Sequence, residues 1–188
     1  EAASFVHLGA TSQDVVDTTL VLQLRRAVGF LLADGRRLAG ALAWTADAHR
    51  QTSMLGRTLL QPAPPTTLGL VAAGWLMGLV DALERIEREA AGALHLQLGG
   101  AVGTLAALGN KGPAVAARMA EKLGLGEAPT PWHTARGPIV GLGGAVAILA
   151  GALGKIARDV SLAMQFELGE LAEPGGAGRG GSGVGAEF

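Results

Sequence analysis

Three segments concentrate side chains that can handle a carboxylate. In His7-Leu-Gly-Ala-Thr-Ser-Gln-Asp14 an imidazole precedes a tight turn, and Thr11, Ser12 and Gln13 gather where a helix should begin. Backbone N–H groups and the dipole at a helix N-terminus attract anions, so a carboxylate can seat there. A plain N-cap beside a surface histidine fits the same residues. In the second segment, Gly56-Arg-Thr-Leu-Leu-Gln61 followed by Pro62, Pro64 and Pro65, the polar residues Arg57, Thr58 and Gln61 lie in a loop too apolar for an ordinary linker. A guanidinium can pin a carboxylate in bidentate fashion; Arg57 can equally pair with a neighbouring acid while Gln61 satisfies loop carbonyls. The third, Gln97-Leu-Gly-Gly-Ala-Val-Gly103 and on to Asn110-Lys111, carries glycines that permit close backbone approach. It lacks the strand and the GxGxxG spacing of a dinucleotide site, which leaves a helix–helix contact as its plain reading.

Other chemistries find little support. His49, His95 and His133 show no metal-ligand spacing with one another or with an acid, so no metal and no cofactor are inferred. Glu84, Glu87 and Glu89 read as a solvated helix face, and no GxSxG elbow supports a serine triad. The chain has no cysteine, which excludes thiolate chemistry and disulfides and fits a reducing, cytoplasmic setting. With 15 Lys+Arg against 16 Asp+Glu it lacks the positive footprint of a nucleic-acid binder. No basic stretch followed by an apolar core marks a signal peptide in the residues from Glu1 onward.

These segments must be held by helices. Among 188 residues 49% are hydrophobic, and no stretch sustains a period-two alternation, so the expected class is all-α, a long-helix bundle. Thr11-Ser12-Gln13-Asp14 has capping-box spacing and should open a helix running to about Arg50. Val16, Leu20, Leu24, Val28, Leu31, Leu38 and Leu42 then form its predicted core-facing seam. A second long helix is expected from about Pro65 to His95, a short one from Pro113 to Leu123, and a fourth from about Arg136 to Leu171. The 30 glycines, about twice the usual ~7% share, imply close helix contacts.

Residues 137–154 are uncharged and could suggest a membrane span, but glycines and Pro138 interrupt them, and Arg136, Lys155, Arg158 and Asp159 flank them closely. The expectation is a helix buried on all sides in a bundle, with no membrane. After Glu173 the chain becomes glycine-rich and aperiodic, so residues 1–173 are expected to form the helical domain and 174–188 a mobile tail.

HLGATSQDVVDT, GRTLLQPAPPTTLG and LQLGGAVGTLAALGNK occur here in the order found in the fumarase/aspartase superfamily. The chain most resembles its 3-carboxy-cis,cis-muconate cycloisomerase branch, with PWHTAR (131–136), LGKIARDVSLAMQFELGE (153–170) and EPGGAGRGGS (173–182) adding to the match. Leu59 stands where fumarases and adenylosuccinate lyases carry a histidine, a departure that the bacterial cycloisomerases share. A leucine cannot relay protons, which disfavours histidine-dependent elimination at that position.

The resemblance implies lactonisation of 3-carboxy-cis,cis-muconate to 4-carboxymuconolactone in protocatechuate degradation, by a cofactor-free homotetramer whose sites are shared among subunits. It assigns Thr11, Ser12 and Gln13 to carboxylate binding, Arg57, Thr58 and Gln61 to orienting a small polycarboxylate substrate, and His7 to hydrogen bonding or proton transfer. His133 and Arg136 join the binding set, although relatives often carry Gln and Asp on either side of that arginine where this chain has Ala135 and Gly137. Ser182 matches the position of a mobile-loop serine, the usual base, but the Met-Pro, Lys and Asn-Pro signature that follows it in the superfamily is not present. The chain therefore resembles the central part of such an enzyme. An adenylosuccinate lyase-like eliminating enzyme and a silent oligomerising helical fragment are the alternatives.

Overall fold

A computed structural model describes residues 2–172, so Ser182 and the glycine-rich tail lie outside the described residues. The chain divides into two compact units, residues 1–152 and residues 153–188.

In the first unit a 3-10 turn, Ala2–Phe5, leads into α1, Ser12–Ala48. A two-stranded antiparallel hairpin follows, β1 (Ser53–Thr58) and β2 (Gln61–Thr67), and then α2, Leu68–Ala93. A 3-10 turn at Ala106–Lys111 introduces α3, Gly112–Leu123, and α4 occupies Gly137–Ala163. The predicted starts of α1 and α3 hold: Thr11 caps α1 with Asp14 accepting from its backbone N–H, and α3 has Pro113 in its first turn and Gly124, at φ +63°, as its left-handed stop. Arg25 of α1 donates to the carbonyls of Leu123 and Gly124, placing a cation at the negative end of α3.

The hairpin is a departure from the expected loop and helix start. Pro62, Pro64 and Pro65 lie in β2 rather than at the start of α2, which begins at Leu68. Both strands are edges, where proline is tolerated because outward-facing positions have no ladder bond to lose. A bulge between Leu55 and Gly56 absorbs Pro64. The two turn residues, Leu59 and Leu60, both have positive φ, 49° and 61°, the type I′ geometry that normally selects Asn-Gly. Nothing in their side chains announces that turn.

α1 and α2 form an antiparallel pair. The Gly69 N–H donates to His49 O at 2.9 Å at one end, and the Thr18 hydroxyl donates to Gln97 O at 2.9 Å at the other. Midway the helices touch closely: a Cβ on Gly35 would lie 2.4 Å from Leu83 Cδ2. α2 contributes Ala72, Trp75, Leu79, Ala82, Leu83, Ile86 and Ala90 at helical spacing, and full burial of a Leu or Ile contributes about 1.5–3 kcal/mol. On α1 the buried positions Asp14, Val21, Val28, Gly35 and Leu42 recur every seventh residue, joined by Asp17 and Thr18. The predicted seam is thus right at Val28 and Leu42, flanking at Leu20, Leu24, Leu31 and Leu38, and wrong at Val16, which is exposed. Its first turns bury polar residues, which a hydrophobic pattern cannot register.

Beyond α2, Val21, Leu96, Ala120, Leu125 and Trp132 form a small apolar cluster that draws α3 and the segment before α4 onto α1. α4 is not buried on all sides. Leu142, Ala145 and Leu149 make one covered stripe, whereas Val140 and Ile148 are exposed. By length and composition alone α4 is apolar enough to cross a membrane. In the second unit the helix ends at Ala163, short of the expected Leu171, and the chain reverses with Glu170 N–H returning to Ala163 O at 3.0 Å.

Candidate active site

The first turns of α1 carry a buried polar network. Asp14 accepts four hydrogen bonds: Gln97 Nε2 (2.9 Å) and Gly99 N (3.0 Å) on Oδ1, Gly100 N (2.9 Å) and Thr11 N (3.0 Å) on Oδ2. Burial by itself would raise its pKa. The donors from Thr11, Gln97, Gly100 and Gly99 outweigh that penalty and hold the carboxyl below its ordinary value. Gln97, fully buried, uses its Oε1 to accept from Trp132 N at 2.6 Å, while its amide Nε2 lies 3.4 Å from His133 Nδ1. One turn along α1, Asp17 Oδ1 accepts from Arg136 Nη1 at 2.6 Å, and the Arg136 guanidinium lies 5.5 Å from the Trp132 ring centroid.

Glycine is required where the two loops meet. Gly100 has φ +69°, and a Cβ there would stand 2.7 Å from Gly9 O, so the 7–11 turn and the 97–105 loop pack backbone against backbone. The glycine-rich third motif is therefore not a helix–helix contact but a loop that ties α1's start to the PWHTAR segment.

This end gathers six of the expected residues. His7 sits exposed in the left-handed region at φ 66°, Thr11 is the half-buried cap, and Ser12 and Gln13 face solvent in the first turn of α1. His133 and Arg136, both half-buried, join them through Gln97 and Asp17. Arg57, Thr58 and Gln61 do not. They belong to the hairpin tip, where Thr58 pairs with Gln61 across the Leu59-Leu60 turn and Arg57 Nη1 donates to Leu55 O at 3.4 Å. The 37 residues of α1, at ~1.5 Å each, separate the two groups by roughly 55 Å. Even a hairpin folded straight back from Ser53 to Arg57, at about 3.3 Å per residue, would recover less than about 20 Å of that. One chain cannot bring both groups to one small substrate.

Sequence reasoning missed the supporting residues. Asp14 was legible only as a cap, and Asp17 and Thr18 not at all. The available signal was the spacing of Asp14 seven residues before Val21, and of Asp17 and Thr18 four and three residues before it, which places polar side chains on the buried seam. A cavity of about 280 Å³ between Leu96, Leu98, Leu105, Glu127 and Pro131 lies next to the network, but none of the expected site residues lines it. Among the described residues no group of three or more His, Asp or Glu stands close enough to hold a metal.

A long-helix chain whose polar end is tied together by a buried carboxylate, a buried amide and glycine loops is the architecture these residues build. The chain belongs to the lyase family, whose model matches residues 1–184. It is 53% identical, over 97% of its length and 40% of the relative's, to a protein of Pseudomonas aeruginosa named 3-carboxy-cis,cis-muconate cycloisomerase. It is 48% identical, over 96% of its length and 40% of the relative's, to a nitrosuccinate lyase of Streptomyces davaonensis. The crystal structure of the 3-carboxy-cis,cis-muconate lactonizing enzyme from Pseudomonas putida superposes with a TM-score of 0.87 at 48% identity, covering 90% of this chain and 38% of that one. The chain thus spans about two fifths of the length of the relatives it matches. The cycloisomerase resemblance carried by its motifs, and the all-α fold, are both borne out.

Proposed function

We propose that this chain is the central portion of a cycloisomerase that lactonises 3-carboxy-cis,cis-muconate to 4-carboxymuconolactone, and that its active site is assembled from more than one copy. The observation that carries the assembly is the roughly 55 Å of α1 between the two groups of site residues. His7, Thr11, Ser12, Gln13, His133 and Arg136 of one copy then meet Arg57, Thr58 and Gln61 of another. The exposed apolar residues Phe30, Trp44, Leu70, Met77, Val140 and Ile148 supply surface for that association, in keeping with the tetramer the resemblance implies.

The chemistry asked of these groups is positioning and charge stabilisation. A carboxylate oxygen of the substrate adds to a carbon of its own double bond, forming the lactone C–O bond. A proton is delivered to the neighbouring carbon, which is activated by a second carboxylate. Negative charge builds on that second carboxylate in the transition state, where N–H donors and guanidinium groups stabilise it. Ser12 and Gln13 at the α1 start bind carboxylate beside Thr11, Arg57 orients the folded polyanion, and His7 and Ser182 are the proton-transfer groups. No step calls for a cofactor, and the reaction belongs to aromatic degradation in the cytoplasm. Residues 1–173 act as the helical domain, and 174–188 as the start of the loop that carries Ser182.

Elimination from a substituted succinate is the second reading, favoured by the 48% identity to a nitrosuccinate lyase. Run in reverse, lactonisation is also removal of a proton next to a carboxylate with loss of a leaving group. The test is loss of 3-carboxymuconate absorbance on adding the chain, alone and extended through the signature that follows Ser182 in the superfamily, with nitrosuccinate and adenylosuccinate run beside it. Lactonisation by either form supports the proposal; cleavage of a succinate without lactonisation overturns it.

A further inference from the structure

Asp17 is a charged side chain that carboxylate binding leaves without a task. It is completely buried; one oxygen takes Arg136 Nη1 at 2.6 Å, and the other has no hydrogen-bond partner among the described residues. A buried carboxylate with an unsatisfied oxygen is unfavourable, so a purely structural seam position would be better filled by a neutral residue. The Arg136 side chain, by contrast, is 39% exposed and is braced against the Trp132 ring. Its end-on bond to Asp17 uses one of the five N–H donors of a guanidinium. The others are left on a half-open group next to His133, whose ring is tied to the same network through Gln97.

We propose that Asp17 is a positioning residue: it fixes Arg136 so that the outer edge of the guanidinium forms a bidentate fork for one carboxylate of a di- or tricarboxylate substrate. The inference rests on the carboxylate-substrate reading above and deepens it. Charge on Asp17, and not merely its volume, is what the arrangement needs, because a neutral amide would hold Nη1 less tightly and let the fork rotate.

The test is side-chain NMR of Arg136 in the full chain, with tricarballylate as the probe. In the unaltered chain the Arg136 Nη signals are resolved, because rotation is hindered, and they shift as tricarballylate is added. Asp17→Asn merges those signals and raises the Kd for tricarballylate about tenfold, while the exposed control Asp47→Asn changes neither. Arg136→Lys, which keeps the charge but loses the fork, raises the Kd by a similar factor and stands in if Asp17→Asn does not fold. Arg136 signals that ignore the probe, or an unchanged Kd in Asp17→Asn or Arg136→Lys, overturn the proposal. Tricarballylate held by Arg136 in a chain that never lactonises would sustain this pairing and count against the reaction alone.

Discussion

At the start of α1, Asp14, Asp17, Thr18 and Gln97 are buried, and two segments distant in sequence, residues 97–100 and 132–136, are fastened there by hydrogen bonds of 2.6–3.4 Å. At its far end, Arg57, Thr58 and Gln61 ride on an isolated two-stranded hairpin whose tip residue Leu59 is 95% exposed. Both ends carry residues suited to carboxylates, yet only the first is organised within the chain. A two-stranded hairpin alone is marginal in water, and Leu59 and Leu60 held at positive φ add strain of order 1 kcal/mol each. An element built on such terms gains its rigidity from what it packs against, and the proposal gives that role to a second copy.

Substitutions should separate the two ends by size of effect. Arg136→Ala leaves the Asp17 carboxylate buried and unpaired; about 3 kcal/mol of stability should be lost, the low end for a broken buried pair because the guanidinium already meets water. The midpoint of urea unfolding reads it, and a change within about 0.5 kcal/mol would erase the contrast between the ends. Gly100→Ala combines a left-handed φ with a Cβ driven against Gly9 O, and should cost about 2 kcal/mol on the same measurement.

Asp14→Asn tests the network by pH. Because the folded pKa of Asp14 lies below its ordinary value, its contribution is fully present above the unfolded carboxylate pKa of about 3.9 and is lost as pH falls through the lower folded value. The variant should therefore be less stable by about 1.5 kcal/mol near neutrality, with the gap narrowing below about pH 4. A gap that widens in acid would contradict the hydrogen-bond assignment.

The smallest effect, of opposite sign, belongs to the hairpin. Leu59→Asn with Leu60→Gly matches the turn's backbone and should leave unfolding unchanged or raise stability by up to about 1 kcal/mol. Lactonisation, if the tip packs on another copy, should fall. Loss of stability at dilutions where the chain is monomeric would mean that these leucines are already packed within the chain.

Much of the architecture was legible because its signals are local. The Thr11 cap, Pro113 at the start of α3, Gly124 at its end and the helical spacing of Trp75, Leu79 and Ile86 each specify their element from neighbouring residues. The hairpin was hidden because Leu-Leu contradicts its turn type and the three prolines of β2 read as breakers. The end of α4 at Ala163 was hidden because the residues after it continue an apolar pattern. In the site, Thr11, His133 and Arg136 could be named from motif resemblance, but their supports could not. Asp17 and Gln97 act across 119 and 35 residues of sequence on Arg136 and Trp132, and no local pattern encodes a partner that far away.

The central claim is that the two ends of α1 serve one site only across copies. The chain has no cysteine, so spin labels can be placed cleanly at Ser12→Cys in one preparation and Thr58→Cys in another. Pulsed electron spin resonance on the mixed preparations should show an inter-copy distance well under the roughly 55 Å length of α1. If the two labels never approach more closely than that in any mixture, the shared-site account is wrong.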